Sequence, residues 1–543
     1  MPISSRTFNQ TKCGSKFATM AEGAKQQPEK RVSFRNWLAL GGVMLGAFMA
    51  VLDIQITNSS LNDISGALGS SIDEGSWIST AYLVAEIVAI GVSGIMAEIF
   101  SIKRYLFFSA VGFLIFSVLC GFARDLNMMI IFRACQGITG GALIPLAFNV
   151  ILTLLPPSKQ PIGMALFGMT ATFGPSIGPT IGGWLTDNYG WAWIFYINIA
   201  PGLLMLAIIW FCLDSDPMDL PRLRGLDYFG IIAMAIGLGS FEYVLEEGER
   251  KDWFGNPVIT RFAWIAGIFI TLFLVRELTA KKPFLNLGIF RHRSFTFASL
   301  IMTCLGLGLY GTVYLVPLYL TQVEHYSALE IGQTLMWVGI PQLFIIPFIP
   351  KLMQLVDIRL IIGLGLVLFG TSCLMDSYMD INFAMDQFRV SNIVRALGQP
   401  LIIIPLLSVA TAGLPKNQTG SASAVFNMMR NLGGSVGIAM LSTLVTTREQ
   451  FHSVRIGSTV TATTPAILSR IASLQSMLQG RGMDPTTAHG TALTILNDEV
   501  QTQSFIMAYS DAFLVVGLIL FCSCGALIFL PASSKAQATP SAG

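Results

Sequence analysis

Long apolar runs alternate along the chain with shorter polar connections, and this pattern predicts helices that cross a membrane. Most runs contain about 20 residues, the length that an α-helix needs to traverse the hydrocarbon core. We predict fourteen spans, numbered in chain order: 37–57, 76–97, 104–123, 128–152, 162–185, 193–213, 227–245, 258–277, 295–320, 330–350, 359–378, 387–411, 420–445 and 507–531.

The basic residues predict that both termini lie in the cytoplasm. An even number of spans puts both ends on one side, and Lys and Arg concentrate in the tails and loops of that side, as the positive-inside rule requires. No cleavable signal precedes span 1, so residues 1–35 are expected to be a disordered cytoplasmic tail. Few basic residues remain for the external side: Arg124, Arg250, Lys251, Arg261 and Arg389.

The composition indicates an integral membrane protein. Of 543 residues, 53% are hydrophobic and 12% are charged, and the mean hydropathy is +0.65. A soluble domain has about twice this charged fraction. The eight cysteines and four histidines show no metal-ligand or disulfide spacing, and no nucleotide-binding G-x-x-x-x-G-K-[ST] loop occurs. We therefore expect no metal, no cofactor, no nucleic-acid partner and no enzymatic activity.

Several ionisable residues fall inside predicted spans, where a charge costs roughly 2.5–3.5 kcal/mol and normally faces a cavity or a partner. Asp53 and Glu86 are the candidate proton carriers, because burial favours a neutral carboxyl and a nearby cation favours its anion. Arg133 cannot deprotonate and would bias such a carboxyl. Its alternative role is a fixed ion pair between helices. The complete set is Asp53, Glu86, Arg133, Glu242, Arg395 and Arg430.

Three of these acids have alternative interpretations. Asp53 lies near the outer end of span 1, where it could snorkel or cap the helix. Glu86 could be a neutral carboxyl in a helix–helix hydrogen bond. Glu242 lies close to the external end of span 7, and we expect it to be interfacial.

Polar and aromatic residues in or beside the spans predict a wide pocket for flat, apolar or cationic molecules. Taken singly, most aromatic residues of this kind pack or face lipid. The candidate substrate-binding residues are Gln55, Asn58, Tyr82, Gln136, Asn149, Phe173, Tyr310, Tyr314, Trp337, Gln399, Asn427 and Arg430.

Span 5 contains three glycines spaced four residues apart. On a helix, Gly174, Gly178 and Gly182 form a ridge without side chains, against which another helix can pack at backbone contact. Pro175 and Pro179 each remove a backbone donor and predict a bend. Small-residue packing without a further function is the alternative.

Two other features concern the organisation of the chain. Arg133 followed by Pro145 in span 4 is echoed by Arg395 followed by Pro405 in span 12, which indicates duplicated halves. The external connection 446–506 is predicted to be partly helical, because the apolar residues of 467–478 fall on one helix face. It could cover the external mouth, contact a partner or be a solvated helical insert.

Specific motifs add a family resemblance. They are LDIQITNSSLNDI at 52–64, GIMAEIFSIKR at 94–104, RACQG at 133–137, GPTIGG at 178–183, WAWIFYIN at 191–198 and NMMRNLGGS at 427–435. Together they resemble the major facilitator superfamily, specifically the fourteen-span drug/proton antiporters of the EmrB/QacA type. The chain departs from the family pattern at Gln55, Asn62, Glu98, Ser101 and Ala192.

The resemblance implies an all-α fold of two pseudo-symmetric six-helix bundles, with spans 7 and 8 inserted between them and alternating access to a central cavity. It assigns proton coupling to Arg133. The antiporter motif comprises Gly174, Gly178, Pro179, Gly182 and Gly183, on a helix at the seam between the bundles. The conformational-gate loop comprises Gly94, Glu98, Lys103 and Arg104. The implied division is a tail at 1–35, the first bundle at 36–213, a linker with spans 7 and 8 at 214–281, the second bundle at 282–531 and a cytoplasmic tail at 532–543.

The resemblance also implies a function. The chain would export small hydrophobic compounds, cationic ones included, in exchange for protons across a bacterial inner membrane. Substrate and protons would compete in a polar region around Asp53 and Arg133. Within the family the chain resembles the inner-membrane pump of Gram-negative tripartite systems, which implies a periplasmic membrane-fusion adaptor and an outer-membrane channel of the TolC type. The alternatives are a narrow-specificity exporter of an endogenous metabolite such as a siderophore, and a membrane enzyme or receptor.

Overall fold

The computed structural model describes residues 32–156, 158–280, 283–411, 419–460 and 464–530. Within these ranges the regular elements are α-helices and short 3₁₀ turns, and there is no strand. Most of the predicted tail at 1–35 and all of the tail at 532–543 lie outside the described residues.

The N half consists of ten helices that contain the first six predicted spans. Span 4 is interrupted after Gly140, where glycine occupies two successive positions and the helix restarts at Leu143. The helices are α1 Phe34–Ser59, α2 Leu61–Ala67, α3 Ile72–Gly75, α4 Trp77–Phe100, α5 Ile102–Gly121, α6 Leu126–Gly140, α7 Leu143–Leu154, α8 Gln160–Tyr189, α9 Trp193–Tyr196 and α10 Ile199–Cys212.

Two helices, α11 Tyr228–Glu247 and α12 Pro257–Thr279, contain spans 7 and 8 and follow the 3₁₀ turn Leu220–Gly225. They pack against each other, and α11 also packs against α4 of the N half. The inserted pair is therefore in direct contact with the first bundle.

The C half contains the remaining spans. Its helices are α13 Arg293–Gln322, α14 Ala328–Ile345, α15 Ile349–Leu355, α16 Ile358–Asp376, α17 Met385–Thr411, α18 Thr419–Thr459, α19 Pro465–Gly480 and α20 Pro485–Ser523. Helix α18 packs along α13, and α16 packs along α17. The 3₁₀ turns at Trp253–Gly255, Leu287–Arg291, Ile346–Phe348 and Cys524–Phe529 complete the set that the structure describes.

Most of the connection 446–506 is helical, more than the sequence predicts. Helix α18 has 41 residues and α20 has 39, so each is about 60 Å long, twice the thickness of a hydrocarbon core. Both helices therefore extend well beyond a membrane. Between them α19 packs on α20 through a small apolar cluster that includes Leu474, Leu478, Ala488 and Ala492.

Twelve helical segments in the described ranges are long and apolar enough to cross a membrane. Predicted spans 5 and 13 coincide with α8 and α18, which are long but fall outside this set. Helix α8 is rich in Gly, Pro and Thr, and the second part of α18 is polar. The total of fourteen crossings and the cytoplasmic position of the termini remain predictions.

The two halves meet chiefly along four helix pairs, each of which includes α8 or α18. Helix α8 packs against α14 and α17, and α18 packs against α4 and α7. Where α4 ends and α18 begins the contact is close: a Cβ atom added to Gly94 would lie 2.9 Å from the Gly420 carbonyl oxygen, and Ser423 Oγ donates a 2.8 Å hydrogen bond to the Pro145 carbonyl oxygen. At the opposite end the halves leave a cavity between them.

Candidate functional site

The first element of the site is an ion pair inside the N half. Helix α1 carries Asp53 and α6 carries Arg133, and Arg133 Nη1 lies 2.6 Å from Asp53 Oδ2. Each side chain is only 1% exposed. Asp53 is thus fully buried with a cation and does not snorkel toward the membrane surface.

Two further side chains hydrogen-bond the pair, and Arg133 Nε also donates a 3.2 Å hydrogen bond to the Ile78 carbonyl oxygen. Gln136 accepts a 2.8 Å hydrogen bond from Arg133 and donates one of 3.1 Å to Asp53 Oδ1. Asn198, at the start of α10, donates 2.8 Å to the same oxygen and 3.1 Å to Ser117 Oγ. Gln136 therefore hydrogen-bonds both members of the ion pair. It does not line the cavity between the halves, contrary to its predicted role in substrate binding.

Asn198 and Ser117 were missed as site residues by the sequence analysis. Asn198 belongs to the quoted segment 191–198, and a buried amide at a helix start is the signal that could have identified it. Ser117 has no local signal, because a serine in an apolar helix usually bonds a carbonyl of its own helix. Here Ser117 Oγ instead donates a 2.8 Å hydrogen bond to the Phe195 carbonyl oxygen.

Tyr82 also belongs to this cluster. Its ring centroid lies 4.2 Å from Arg133 Cζ, in cation–π contact, and its side chain is fully buried. Helix α6 approaches α4 closely here, since a Cβ atom on Gly137 would lie 2.4 Å from the Tyr82 carbonyl oxygen. Tyr82 therefore packs on the ion pair and is not a wall of the cavity.

The second element is a cavity of about 430 Å³ between the halves, at the end where α1 finishes and α4 starts. Four of the predicted binding residues line it: Gln55, Asn58, Tyr310 and Tyr314. Asn58 accepts a 2.6 Å hydrogen bond from Ser79 Oγ. Apolar side chains such as Leu61, Val313, Pro317, Leu318 and Ile331 form much of the remaining wall.

A smaller chamber of about 70 Å³ adjoins this cavity, and the two share Gln55, Asn58, Glu246, Tyr310 and Ile438. Glu86 and Glu242 line the chamber, and both are 2% exposed. The expectation that Glu242 is interfacial is therefore wrong. Packing of α11 against α4 and α18 buries this residue, although it lies near the end of its helix.

Glu86 has a different environment from Asp53. Its Oε1 atom is buried and has no hydrogen-bond partner among the described residues, so a helix–helix hydrogen bond at this atom is not observed. Arg430 of α18 is also buried and lies close enough to Glu86 to interact electrostatically. Its hydrogen bonds to Asn431 Oδ1 are long, at 3.5 Å.

The C half contains a second buried ion pair. Arg395 of α17 pairs with Asp376 at the end of α16, and Arg395 Nε donates a 3.4 Å hydrogen bond to Ser372 Oγ. Arg395 lies in span 12 as Arg133 lies in span 4, in line with the sequence echo, but its acid comes from span 11, whereas Asp53 comes from span 1. Asp376 lies at the edge of its span and was not among the predicted site residues.

The remaining predicted binding residues lie apart from both cavities. Gln399 accepts a 2.9 Å hydrogen bond from Gln342, and Trp337 packs under Arg389 with 4.1 Å between Cζ and the ring centroid. Phe173 stacks on Phe48 at 6.3 Å, and Asn427 donates a 2.9 Å hydrogen bond to the Ser423 carbonyl oxygen of its own helix. Asn149 is buried, with its Oδ1 unpartnered in the described part of the chain.

The glycine ridge of α8 packs against α1, within the N half. Added Cβ atoms would lie 2.9 Å from Val51 Cγ1 at Gly174, 2.5 Å from Gln55 Cβ at Gly178 and 2.2 Å from Ser59 Oγ at Gly182.

The seam contact of α8 comes from neighbouring positions. Thr180 packs directly against Gly332 of α14: a Cβ atom added to Gly332 would lie 2.6 Å from the Thr180 Cα atom. Pro179 lines the larger cavity, and Gly183 is buried. Helix α8 therefore lies at the seam between the halves, as expected. Its glycine ridge does not face the seam but packs against α1.

The predicted gate loop lies where α4 ends and α5 begins. Glu98 forms a 2.5 Å ion pair with Arg222, and Lys103 donates a 2.7 Å hydrogen bond to the Trp210 carbonyl oxygen. Arg104 is half-buried in the first turn of α5. Ser101 between the helices has φ 73° and ψ 140°, a conformation that favours glycine.

Two observations bear on where a substrate could bind and on whether a metal takes part. No group of three metal-ligating side chains occurs among the residues that the structure describes. An apolar groove of about 490 Å³, formed by α13 and α20, has Phe297, Leu300 and Leu518 in its walls and no charged side chain. The polar cavity between the halves is therefore the candidate substrate site.

A polytopic helical protein with buried ion pairs and a cavity between two halves has the architecture of a membrane transporter. The sequence model of the Major Facilitator Superfamily matches residues 43–438, and the chain belongs to this family. Its fold is similar to the human organic anion transporter MFSD10 (TETRAN), with a TM-score of 0.53, 12% identity and coverage of 89% of this chain and 99% of that one. The predicted fold class is confirmed.

Curated relatives span nearly the whole chain. It is 32% identical to the colistin resistance protein EmrB of Acinetobacter baumannii, covering 92% of this chain and 97% of that protein. It is 31% identical to the fatty acid resistance protein FarB of Neisseria gonorrhoeae (89% and 94%) and 30% identical to the multidrug export protein EmrB of Escherichia coli K12 (86% and 90%). The chain is thus a multi-pass inner-membrane transporter and not an enzyme, as predicted.

Proposed function

We propose that this protein is a multidrug exporter that exchanges hydrophobic compounds, cationic ones included, for protons by alternating access. The observation that carries the proposal is the buried Asp53–Arg133 pair, because a carboxyl that can gain a proton beside a permanent cation is a suitable proton carrier. Relatives named for colistin resistance, fatty acid resistance and multidrug export support the export of varied amphiphiles.

Coupling between proton and substrate would run through helix α1. Asp53 does not line the cavity, so direct competition for this carboxyl is not supported in this conformation. The same helix carries Gln55 and Asn58 into the cavity. Protonation of Asp53 would remove its charge and loosen its attraction to Arg133, and a shift of α1 would then alter the cavity wall.

Alternating access is supported by the asymmetry of the seam. With cytoplasmic termini, the cavity opens toward the external side, and the contacts of Gly94 with Gly420 and of Ser423 with Pro145 close the cytoplasmic side. The structure then corresponds to an outward-facing state. Opening the other side would require these contacts to separate.

A periplasmic adaptor and an outer-membrane channel remain part of the proposal. With the predicted orientation, the projecting segment built from α18, α19 and α20 lies on the external side. It is the candidate contact for an adaptor, because it extends beyond the membrane.

The proposal is tested with purified protein in proteoliposomes. A pH gradient should drive the accumulation of a fluorescent amphiphilic dye, and dissipating the gradient should stop it. Asp53→Asn should abolish the gradient-driven component, both in proteoliposomes and in inverted vesicles. Asp63→Asn, at an exposed position of α2, should retain it. Undiminished transport by Asp53→Asn would refute the role of this carboxyl.

A further inference from the structure

The inserted helix α11 contributes side chains to the interface between the two halves. Glu242 accepts a 2.5 Å hydrogen bond from Ser435 Oγ of α18, and Glu247 accepts one of 2.7 Å from Ser76 Oγ, just before α4. Although spans 7 and 8 are insertions, α11 therefore connects the N half to the C half beside the cavity.

Three carboxyl groups line the chamber that α11 helps to form. Glu86 comes from α4, and Glu242 and Glu246 come from α11. Two buried arginines, Arg430 of α18 and Arg133 of α6, interact electrostatically with Glu86. The remaining polar wall consists of neutral groups, including Tyr310 and Asn431.

Two of these carboxyls have unused hydrogen-bonding capacity. Glu86 Oε1 and Glu242 Oε2 are buried, line the chamber and have no hydrogen-bond partner among the described residues. A buried acceptor without a partner is costly, and a group that donates hydrogen bonds to both oxygens would offset that cost.

The chamber and the larger cavity together have the shape of a two-part site. The chamber volume of about 70 Å³ accommodates a group the size of an ammonium or a few water molecules, since one water occupies about 30 Å³. The adjoining cavity of about 430 Å³ has walls that include Leu61, Val313 and Leu318. Tyr310 lines both compartments, and an aromatic ring can interact favourably with a cation.

We propose that Glu242 of the inserted helix and Glu86 of α4 form a subsite for the positively charged end of an amphiphilic amine, while the larger cavity holds its apolar body. This inference rests on the proposed export function and names its substrate chemistry. It also assigns α11 a direct role in specificity. Ser435 acts as a positioning residue that orients Glu242.

The experiment measures equilibrium binding to the purified full-length protein in nanodiscs, without any gradient. The probes are 4-phenylbutylammonium and the neutral alcohol 4-phenylbutanol, which share an apolar body and differ in the end group. Wild-type protein should bind the ammonium more tightly. Glu242→Gln and Glu86→Gln should each weaken ammonium binding by about tenfold and change alcohol binding by less than about twofold, because a charged hydrogen bond is lost in each variant.

Glu249→Gln is the matched control. This glutamate follows the end of α11 and is bonded by Thr446 at 2.8 Å, but it does not line the chamber. Its substitution should leave the affinities for both probes unchanged. Ser435→Ala provides a second variant that retains every carboxyl, and it should lower ammonium affinity selectively but less than Glu242→Gln does.

Three results would overturn the subsite. They are equal binding of both probes by wild-type protein, equal losses for both probes in Glu242→Gln, and unchanged ammonium binding in the two glutamine variants, which would indicate that the carboxyls hold only protons. None of these results contradicts gradient-driven export, which the proteoliposome experiment tests separately.

Discussion

Arg133 donates a 2.6 Å hydrogen bond to Asp53 across the interior of the N half, and the two residues are 80 positions apart in the chain. Both charges have lost their water, so each depends on the other and on Gln136 and Asn198 for compensation. Such a pair contributes little net stability compared with apolar packing, but losing one partner is costly. The presence of such a pair in a membrane interior therefore indicates a functional role.

The first prediction separates the stability of this pair from its function. Asp53→Asn leaves the Arg133 charge without a counterion and should lower the free energy of unfolding by about 3–5 kcal/mol. The double variant Asp53→Asn/Arg133→Gln should recover much of that loss, because no unpaired charge remains. Thermal unfolding of the purified proteins measures both effects.

Transport provides the control for this pair of variants. The double variant should remain unable to couple dye transport to a pH gradient, even where its unfolding temperature approaches that of the wild type. Recovery of coupled transport together with stability would show that the pair has a structural role only.

The second prediction concerns the glycine ridge of α8. Gly178→Ala would place a Cβ atom 2.5 Å from Gln55 Cβ, so α8 and α1 must separate. We expect destabilisation by about 1–3 kcal/mol, with impaired efflux because α1 also carries Asp53. Gly178→Leu should damage folding or coupling further. Unfolding temperature and proton leak in proteoliposomes are the measurements.

Gly267→Ala is the matched control for the ridge. Gly267 lies in α12 with no heavy atom within 4 Å of an added Cβ, so alanine should be neutral or slightly stabilising there. Intact efflux without proton leak in Gly178→Leu would count against a tight ridge.

The third prediction concerns Ser101, between α4 and α5. Its backbone at φ 73° costs about 1–3 kcal/mol for a non-glycine residue, and glycine removes that cost. Ser101→Gly also loses the 3.2 Å hydrogen bond from the Asp216 N–H, which contributes about 1 kcal/mol. A net rise in unfolding temperature is expected.

Ser101→Ala distinguishes the two contributions at this position. Alanine loses the hydrogen bond and keeps the strained backbone, so its unfolding temperature should fall below that of the wild type. If glycine and alanine destabilised the protein equally, the strain argument would be wrong.

The fourth prediction addresses closure of the seam. Gly94→Val introduces a side chain where a single Cβ atom would already lie 2.9 Å from the Gly420 carbonyl oxygen. The halves should therefore separate at this end, and efflux should fall because one state of the cycle is disfavoured. Spin labels at exposed positions 159 and 291 should report a longer distance by pulsed electron paramagnetic resonance.

Gly41→Val is the control for the seam, since nothing lies within 4 Å of an added Cβ atom at Gly41 of α1. The label distance should stay at the wild-type value in this variant. A distance unchanged by Gly94→Val would mean that the Gly94–Gly420 approach does not limit closure.

Much of the fold was predictable because its signals are local. Hydropathy over about 20 residues defines a span, and a four-residue spacing places Gly174, Gly178 and Gly182 on one helix face. The candidate site was partly predictable for the same reason: a charge inside an apolar run is recognisable without knowledge of its partner. Asp53, Glu86 and Arg133 were identified in this way.

The sequence by itself determined the class of protein, the positions of its helices and the buried charges that need compensation. Only the tertiary structure decided the partners: Asn198 for Asp53, Asp376 for Arg395 and α1 for the glycine ridge. Glu242 was expected at the membrane interface, but the tertiary structure places it in a chamber beside Glu86. The reason is physical, because helical periodicity specifies which face a residue occupies, whereas the packing of distant helices determines what that face meets.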